Sequence, residues 1–111
     1  MIGNAMKPVI VLTTVGENHA VKELASELVE QRLAACVNII PNLYSVFRWR
    51  GKVDGDYEQL LIIKTSEERV DALRNVLFGR HPYELPEFIV IPIDRIEGAY
   101  RDWLLDAVSA G

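Results

Sequence analysis

The chain has 111 residues, enough for one domain with a sizeable core and too few for two domains of ordinary size. Half of the residues are hydrophobic and a quarter are charged, a balance typical of globular proteins that excludes global disorder. The net charge of −4 provides no basic field for phosphate backbones, so nucleic acid is not expected as a partner.

Cysteine content and hydropathy indicate the cellular compartment of the protein. Cys36 is the single cysteine, so no disulfide can form within the chain, and we expect a cytoplasmic protein. The apolar run at residues 9–12 is far shorter than the roughly 20 residues of a membrane span, so no membrane association is expected. We expect residues 1–7 to be a loose N-terminus and residues 8–111 to form one domain.

The chain begins with a predicted strand and a predicted helix. Residues 9–14 form a short β-branched apolar run, which is typical of a strand covered on at least one face. Apolar residues then recur at the spacing of one helical face, with charged residues on the opposite side. This stripe consists of Val21, Leu24, Ala25 and Leu28.

Residues 35–65 predict an unusually long hairpin. Its first strand, residues 35–49, is interrupted at Pro41, which cannot donate to a ladder and therefore marks a bulge or an edge. Residues 51–55 predict the turn, and residues 57–65 predict the returning strand. An arm that outruns its own sheet exposes apolar side chains and unpaired backbone, so we expect another subunit to cover it.

A second helix is predicted after the hairpin. Residues 65–68 fit a capping box, in which a Thr hydroxyl and a Glu carboxylate each accept from a free amide at the start of a helix. The apolar stripe that follows consists of Val70, Leu73 and Leu77, and Gly79 is expected to close the helix.

The last part of the chain predicts a loop, a strand and a short helix. Residues 81–86 must form a loop, because two prolines so close together exclude a helix interior. Residues 88–93 predict a strand, and residues 100–108 predict an amphipathic helix. We expect Tyr100 and Trp103 to serve packing and not function, since they share the apolar stripe of that helix.

The predicted order β-α-β-β-α-β-α indicates an α+β fold. Its first six elements form a ferredoxin-like double βαβ unit, a four-stranded antiparallel sheet with both helices on one face, and a C-terminal helix is added. The predicted strands are apolar enough that the open face of the sheet is expected to be buried in an assembly.

Five segments in order and spacing resemble the CutA divalent-cation tolerance family. The resemblance runs over nearly the whole chain, from about Val9 to Trp103, and five motifs in sequence are far more specific than one. The matching segments are residues 33–39, 49–52, 58–65, 81–87 and 100–103. The resemblance implies a tight homotrimer of ferredoxin-like protomers paired through long hairpins, an architecture like that of the PII signalling proteins, a link to copper or other divalent cations, and no established catalytic activity.

Cys36, His81 and Glu84 are the candidate metal ligands. A thiolate and an imidazole suit soft or borderline cations such as copper, and a carboxylate can complete the set. No close ligand spacing supports this trio, and only the family resemblance favours it. The alternatives are that Cys36 is a small core residue and that His81 binds backbone.

Trp49, Lys64 and Tyr83 are candidates for binding a small ligand. Lys64 follows an apolar run and is expected to reach a cleft, whereas Arg50 at the hairpin tip is expected to pair with nearby acidic residues. The stiff loop that carries Tyr83 either serves function or forms a rigid crossover whose phenol fills the core.

We predict a non-enzymatic, cytoplasmic homotrimer that binds copper or another divalent cation in metal tolerance. No Gly-rich phosphate loop or nucleophile elbow occurs in the chain, and no organic cofactor is expected. The alternative is a PII-like trimeric signalling module that binds a small anionic metabolite or nucleotide. A third possibility is a stable scaffold for a partner protein that the sequence does not specify.

Overall fold

A computed structural model of the chain describes residues 7–109. Its strands and helices follow the predicted order. They are β1 (Pro8–Gly16), α1 (Val21–Glu30), β2 (Cys36–Trp49), β3 (Lys52–Ser66), α2 (Val70–Arg80), β4 (Ile89–Pro92) and α3 (Gly98–Ala107), with a 3₁₀ turn at Glu67–Arg69 before α2. Apart from Lys7, the predicted loose N-terminus lies outside the described residues. No helix within residues 7–109 is long and apolar enough to cross a membrane.

The four strands form one antiparallel sheet in the order β2-β3-β1-β4. This order is that of the predicted double βαβ unit, and α1 and α2 both pack on one face of the sheet. Odd-numbered residues of β1 and β3 point toward the helices, since side chains alternate along a strand. The core formed there includes Val9, Val11, Val15, Leu24, Leu28, Leu61, Ile63, Leu73 and Leu77.

The interruption at Pro41 is a bulge, as predicted. The pairing of β2 with β3 shifts register between Ile40 and Leu43. Asn42 has a left-handed backbone with a φ of 63°, a conformation that asparagine tolerates better than most residues. Pro41 and Asn42 stand opposite the single residue Gln59, and this one extra residue allows the continuous strand to change direction and leave the body of the sheet.

The turn of the hairpin is tighter than the sequence indicated. Arg50 and Gly51 form it alone, with φ angles of 53° and 80°, and Trp49 already pairs with Lys52. Two positive φ angles match the hairpin turn whose twist suits the flanking strands. The prediction of a turn over residues 51–55 is therefore wrong, because the ladder extends to the tip.

Both predicted boundaries of α2 are also wrong. The Thr65 hydroxyl is buried and donates to the Leu33 carbonyl at 2.8 Å, so it ties β3 to the chain before β2 instead of capping a helix. Ser66 occupies the capping position and makes no side-chain capping bond. At the other end, Gly79 lies inside α2, which continues to Arg80.

The C-terminal helix α3 buries the C-terminal part of its apolar stripe and leaves the first turn exposed. Leu104 and Leu105 are its buried residues, and they form a small second core with Ala35 and Val108. Tyr100 and Trp103 pack against each other, with ring centres 5.3 Å apart, but both remain nearly half-exposed within the protomer. The helix contacts the central strands β3 and β1, and its buried residues form a cluster separate from the main core.

Candidate functional site

The outer part of the β2–β3 hairpin, residues 43–57, extends beyond the sheet, and we call it the arm. β1 pairs with β3 only as far as Glu58, so the two strands of the arm pair with each other alone. Alternation gives the arm two faces. The outer face carries Tyr44, Val46, Val53 and Tyr57, and the inner face carries Phe47, Trp49 and Asp56.

The loop between α2 and β4 lies against the inner side of this hairpin. His81 donates from Nε2 to the Thr14 carbonyl at 2.8 Å, and its Nδ1 accepts from the Tyr83 amide at 3.2 Å. Both ring nitrogens are thus engaged, which fixes the neutral tautomer. Burial lowers the pKa of His81, with the bond to Thr14 acting in the opposite direction. His81 therefore pins the loop to β1, consistent with the alternative that it binds backbone.

Tyr83 joins this loop to β3. Its hydroxyl donates to Oε2 of Glu58 at 2.6 Å, and Glu58 is only 8% exposed. Burial and then the bond to the Glu58 carboxylate raise the pKa of Tyr83. Burial and the charge of Glu58 likewise raise the pKa of Glu87. A partly desolvated, negatively charged site therefore lies between the loop and the hairpin.

The space between arm and loop is a cavity of about 680 Å³, which we call the arm cleft. It brings together Trp49 and Tyr83, two of the three residues predicted to bind a small ligand. Its wall is formed by the following residues: Thr14, Ser45, Val46, Phe47, Arg48, Trp49, Asp56, Glu58, Pro82, Tyr83, Glu84, Leu85 and Glu87. A cavity of this size is in the range of small-molecule sites.

Lys64, the third predicted ligand-binding residue, lies elsewhere. Its ammonium is 5.8 Å from the centre of the Tyr100 ring, and it is not part of the wall of the arm cleft. Within a protomer it therefore contributes to the surface that α3 forms beside the sheet.

The three candidate metal ligands lie apart within one protomer. Cys36 pairs with Lys64 of β3. His81 binds Thr14, and Thr14 pairs with Leu60 of β3. Lys64 and Leu60 are four residues apart, so the two pairing positions are separated by about 13 Å along the strand. Glu84 binds Arg50 at 2.9 Å. The described residues contain no group of three His, Cys, Asp or Glu side chains that could hold a metal ion. A site made from this trio would therefore have to draw on more than one subunit.

The ion pair of Glu84 corrects one prediction. Arg50 was expected to pair with acidic residues of the hairpin itself, but it reaches across to the loop, and its guanidinium also lies 5.3 Å from the centre of the Trp49 ring. Both partners are largely exposed, so the pair closes the rim of the arm cleft at little energetic gain.

Comparison with known proteins identifies the family. A family model described as CutA1 divalent ion tolerance protein matches residues 9–107. The chain belongs to the CutA1 family. The divalent-cation tolerance protein CutA of Thermus thermophilus is 43% identical over 95 residues, which cover 86% of this chain and 92% of that protein. The chloroplastic protein CutA of Arabidopsis thaliana is 43% identical over 96 residues, but this chain spans only 53% of its length.

Solved structures of the CutA1 family have the same fold. CutA1 from Oryza sativa superposes with a TM-score of 0.89 at 39% identity, covering 98% of this chain and 100% of that one. A structure from Nostoc, described as the PII-like protein CutA in apo form, gives a TM-score of 0.83 at 34% identity, covering 91% and 97% of the two chains. The predicted resemblance to CutA is confirmed.

Sequence reasoning missed the acidic lining of the cleft and a clamp beside it. Glu58 and Glu87 were not singled out as site residues, although a glutamate at the start of an apolar strand run is an available signal for Glu58. Gln59, the next residue, donates from Nε2 to the carbonyls of Gly16, Glu17 and His19 at 3.0, 3.3 and 3.1 Å. This amide holds the β1–α1 loop, a role that no sequence pattern indicates.

Proposed function

We propose that this CutA1 family member is a cytoplasmic homotrimer that binds copper or another divalent cation in metal tolerance, without catalysing a reaction. The observation that carries the proposal is the arm, whose apolar outer face is not covered by any of residues 7–109. Val46 and Val53 are 67% and 66% exposed, although each lies in a regular strand ladder.

Other surfaces support assembly in addition to the arm. β2 and β4 are the two edge strands of the sheet, so each offers unpaired backbone to another chain. The open face carries Ile89 and Ile91, both more than 40% exposed. Different patches at the two edges favour head-to-tail contacts, which close into a ring when the rotation permits it.

The cation proposal rests on the family description and on the chemistry of Cys36. The thiol is half-buried on the opposite side of the sheet from the helices, and it is the softest ligand in the chain. His81 can bind a metal only after releasing Thr14 or Tyr83, because both of its nitrogens are engaged. Copper ligation by this trio therefore requires contributions from neighbouring subunits and a local rearrangement.

A copper titration against a competing chelator, with the mass measured by light scattering on the same sample, tests this proposal. We expect a trimer that binds one equivalent per chain, with binding lost in Cys36→Ser and weakened in His81→Gln. His19→Gln is the matched control, because it removes the other histidine. Copper binding that is unchanged in Cys36→Ser and His81→Gln would rule out this ligand set.

A PII-like signalling module is the second candidate. The arm cleft favours it, because Trp49 and Tyr83 line a cavity of small-molecule size. A thermal-shift screen against phosphate, nucleotides and small carboxylates tests it, since a specific ligand raises the unfolding temperature by mass action. Stabilisation by an anion that is lost in Trp49→Ala would support this candidate, and no response to any anion would oppose an anionic ligand.

A further inference from the structure

The arm cleft has an apolar wall and an acidic floor. Phe47 and Trp49 come from the inner face of the arm, and Tyr83 faces them from the loop. Asp56, on the same inner face, and Glu58, which follows it two residues along β3, are both part of the wall. The outer face of the arm points the other way, and only Val46 and Arg48 of that face also border the cleft. A partner subunit on the outer face would therefore leave Phe47 and Trp49 to the cleft.

The charge in the cleft is predominantly negative. Asp56, Glu58 and Glu87 form no ion pair within residues 7–109, whereas Glu84 is neutralised by Arg50. Arg48 is the only cationic residue in the described wall, and it shares the outer face of the arm with its partner Val53. The three unpaired carboxylates therefore outnumber the cationic groups of the cleft. An anionic ligand would add to this excess, while a cation would neutralise it.

Glu58 is a buried carboxylate with incomplete hydrogen bonding. It is 8% exposed and lines the cleft, and its Oε2 accepts from Tyr83. Its Oε1 accepts no hydrogen bond from any residue that the structure describes. Among residues 7–109, Ser66 Oγ is the only enclosed side-chain polar atom without a partner, so Oε1 of Glu58 is still accessible to solvent. An ammonium group of a ligand could therefore donate a charge-assisted hydrogen bond to it.

The separation of the carboxylates selects a ligand larger than a metal ion. Asp56 and Glu58 lie two residues apart on one face of a strand, about 7 Å along it, and residues 7–109 contain no three-residue metal cluster. Two ammonium groups joined by a short methylene chain can reach both carboxylates, and the aromatic walls suit the methylenes and the charges.

We propose that the arm cleft binds a small organic polycation of the diamine or polyamine class. Asp56, Glu58 and Glu87 bind the ammonium groups, and Phe47 and Trp49 contact the methylene chain. The proposed copper set shares one residue with the wall of this cleft, Glu84, which is engaged by Arg50. The amine site itself uses none of Cys36, His81 and Glu84 and needs no metal.

Calorimetric titration of the wild-type protein with putrescine and spermidine, at low ionic strength and neutral pH, tests the proposal. We expect binding of one molecule per chain, with butylamine weaker than putrescine because it carries one charge. Glu58→Gln keeps an acceptor for Tyr83 and removes the charge, so it should weaken putrescine binding about tenfold or more. Glu87→Gln and Asp56→Asn should weaken it less, since both side chains are more exposed.

Glu68→Gln is the matched control, because it removes the same charge near the opposite end of β3. Equal weakening in Glu68→Gln and Glu58→Gln would show adsorption to net charge and overturn the proposal. Absence of amine binding, or tighter binding of AMP than of spermidine, would also overturn it. A copper titration of Glu58→Gln distinguishes the two sites, since copper binding should be unchanged whichever way the amine experiment falls.

Discussion

The two halves of the β2–β3 hairpin differ sharply, although one continuous ladder joins them. In the inner half, residues 58–64 of β3 lie between β1 and β2, and their helix-facing side chains are buried. In the arm, most apolar side chains are exposed, and the molecule extends to 49 Å along its longest axis. The radius of gyration is 14.9 Å, compared with about 13 Å expected for this length. The inner half therefore stabilises the protomer, and the arm is available for assembly and binding.

The largest effect on protomer stability should come from Leu61→Ala in the inner half. Leu61 is fully buried between the sheet and the two helices α1 and α2, so the substitution should lower the free energy of unfolding by about 2–5 kcal/mol. Urea unfolding at one fixed protein concentration measures this. Leu85→Ala is the control, because Leu85 is 70% exposed and should change stability by less than about 0.5 kcal/mol. Equal effects would contradict the assignment of the core.

Substitutions on the outer face of the arm should change the oligomeric state of the protein. In the proposed trimer, Val46→Asp with Val53→Asp places two charges in a covered apolar surface, at a cost on the order of 2 kcal/mol each. Light scattering should show the mass of a single chain, while circular dichroism retains the helical signal. An unchanged mass would show that the outer face of the arm is not the interface. Glu67→Gln, outside the arm, should leave the mass unaltered.

The substitution Gln59→Glu tests the boundary between the inner half of the β2–β3 hairpin and the arm. The new carboxylate would face three carbonyl oxygens, so we expect a loss of about 1–3 kcal/mol at neutral pH. The protonated carboxyl can donate one hydrogen bond to these carbonyls, so its pKa is raised in the folded protein. The loss of stability should therefore become smaller as the pH falls below that pKa. Gln31→Glu makes the same change at an exposed helix end and should have little effect. A loss independent of pH would contradict this explanation.

His81 should produce the smallest effect, a dependence of stability on pH. Its pKa is lowered in the folded protein, so the unfolded chain binds more protons as the pH falls through the ordinary histidine value near ~6.5. Stability should therefore decrease between about pH 7 and pH 5, and His81→Gln should show a shallower decrease in urea unfolding. The same slope in wild type and His81→Gln would contradict this. His19→Gln serves as the control.

Much of the architecture could be predicted from the sequence because it depends on local patterns. The stripe from Val21 to Leu28 specified α1, and the proline at position 41 specified a bulge. Less of the candidate site could be predicted. Trp49 and Tyr83 do share a cavity, but Lys64 does not, and the trio of Cys36, His81 and Glu84 is dispersed within the protomer. Whether subunits bring the trio together stays a prediction.

The sequence by itself determined the order of the elements, the apolar faces of α1 and α2 and the family, since periodicity and motif spacing are properties of the chain. Only the tertiary structure decided which polar groups meet. The Tyr83 hydroxyl donates to Glu58, which is 25 residues away in the sequence. Arg50 donates to Glu84, 34 residues away, and Thr65 donates to the carbonyl of Leu33, 32 residues away. Such contacts depend on how strands and loops are placed in space. A buried polar group binds whichever partner the packing brings within reach, and local sequence does not encode that partner.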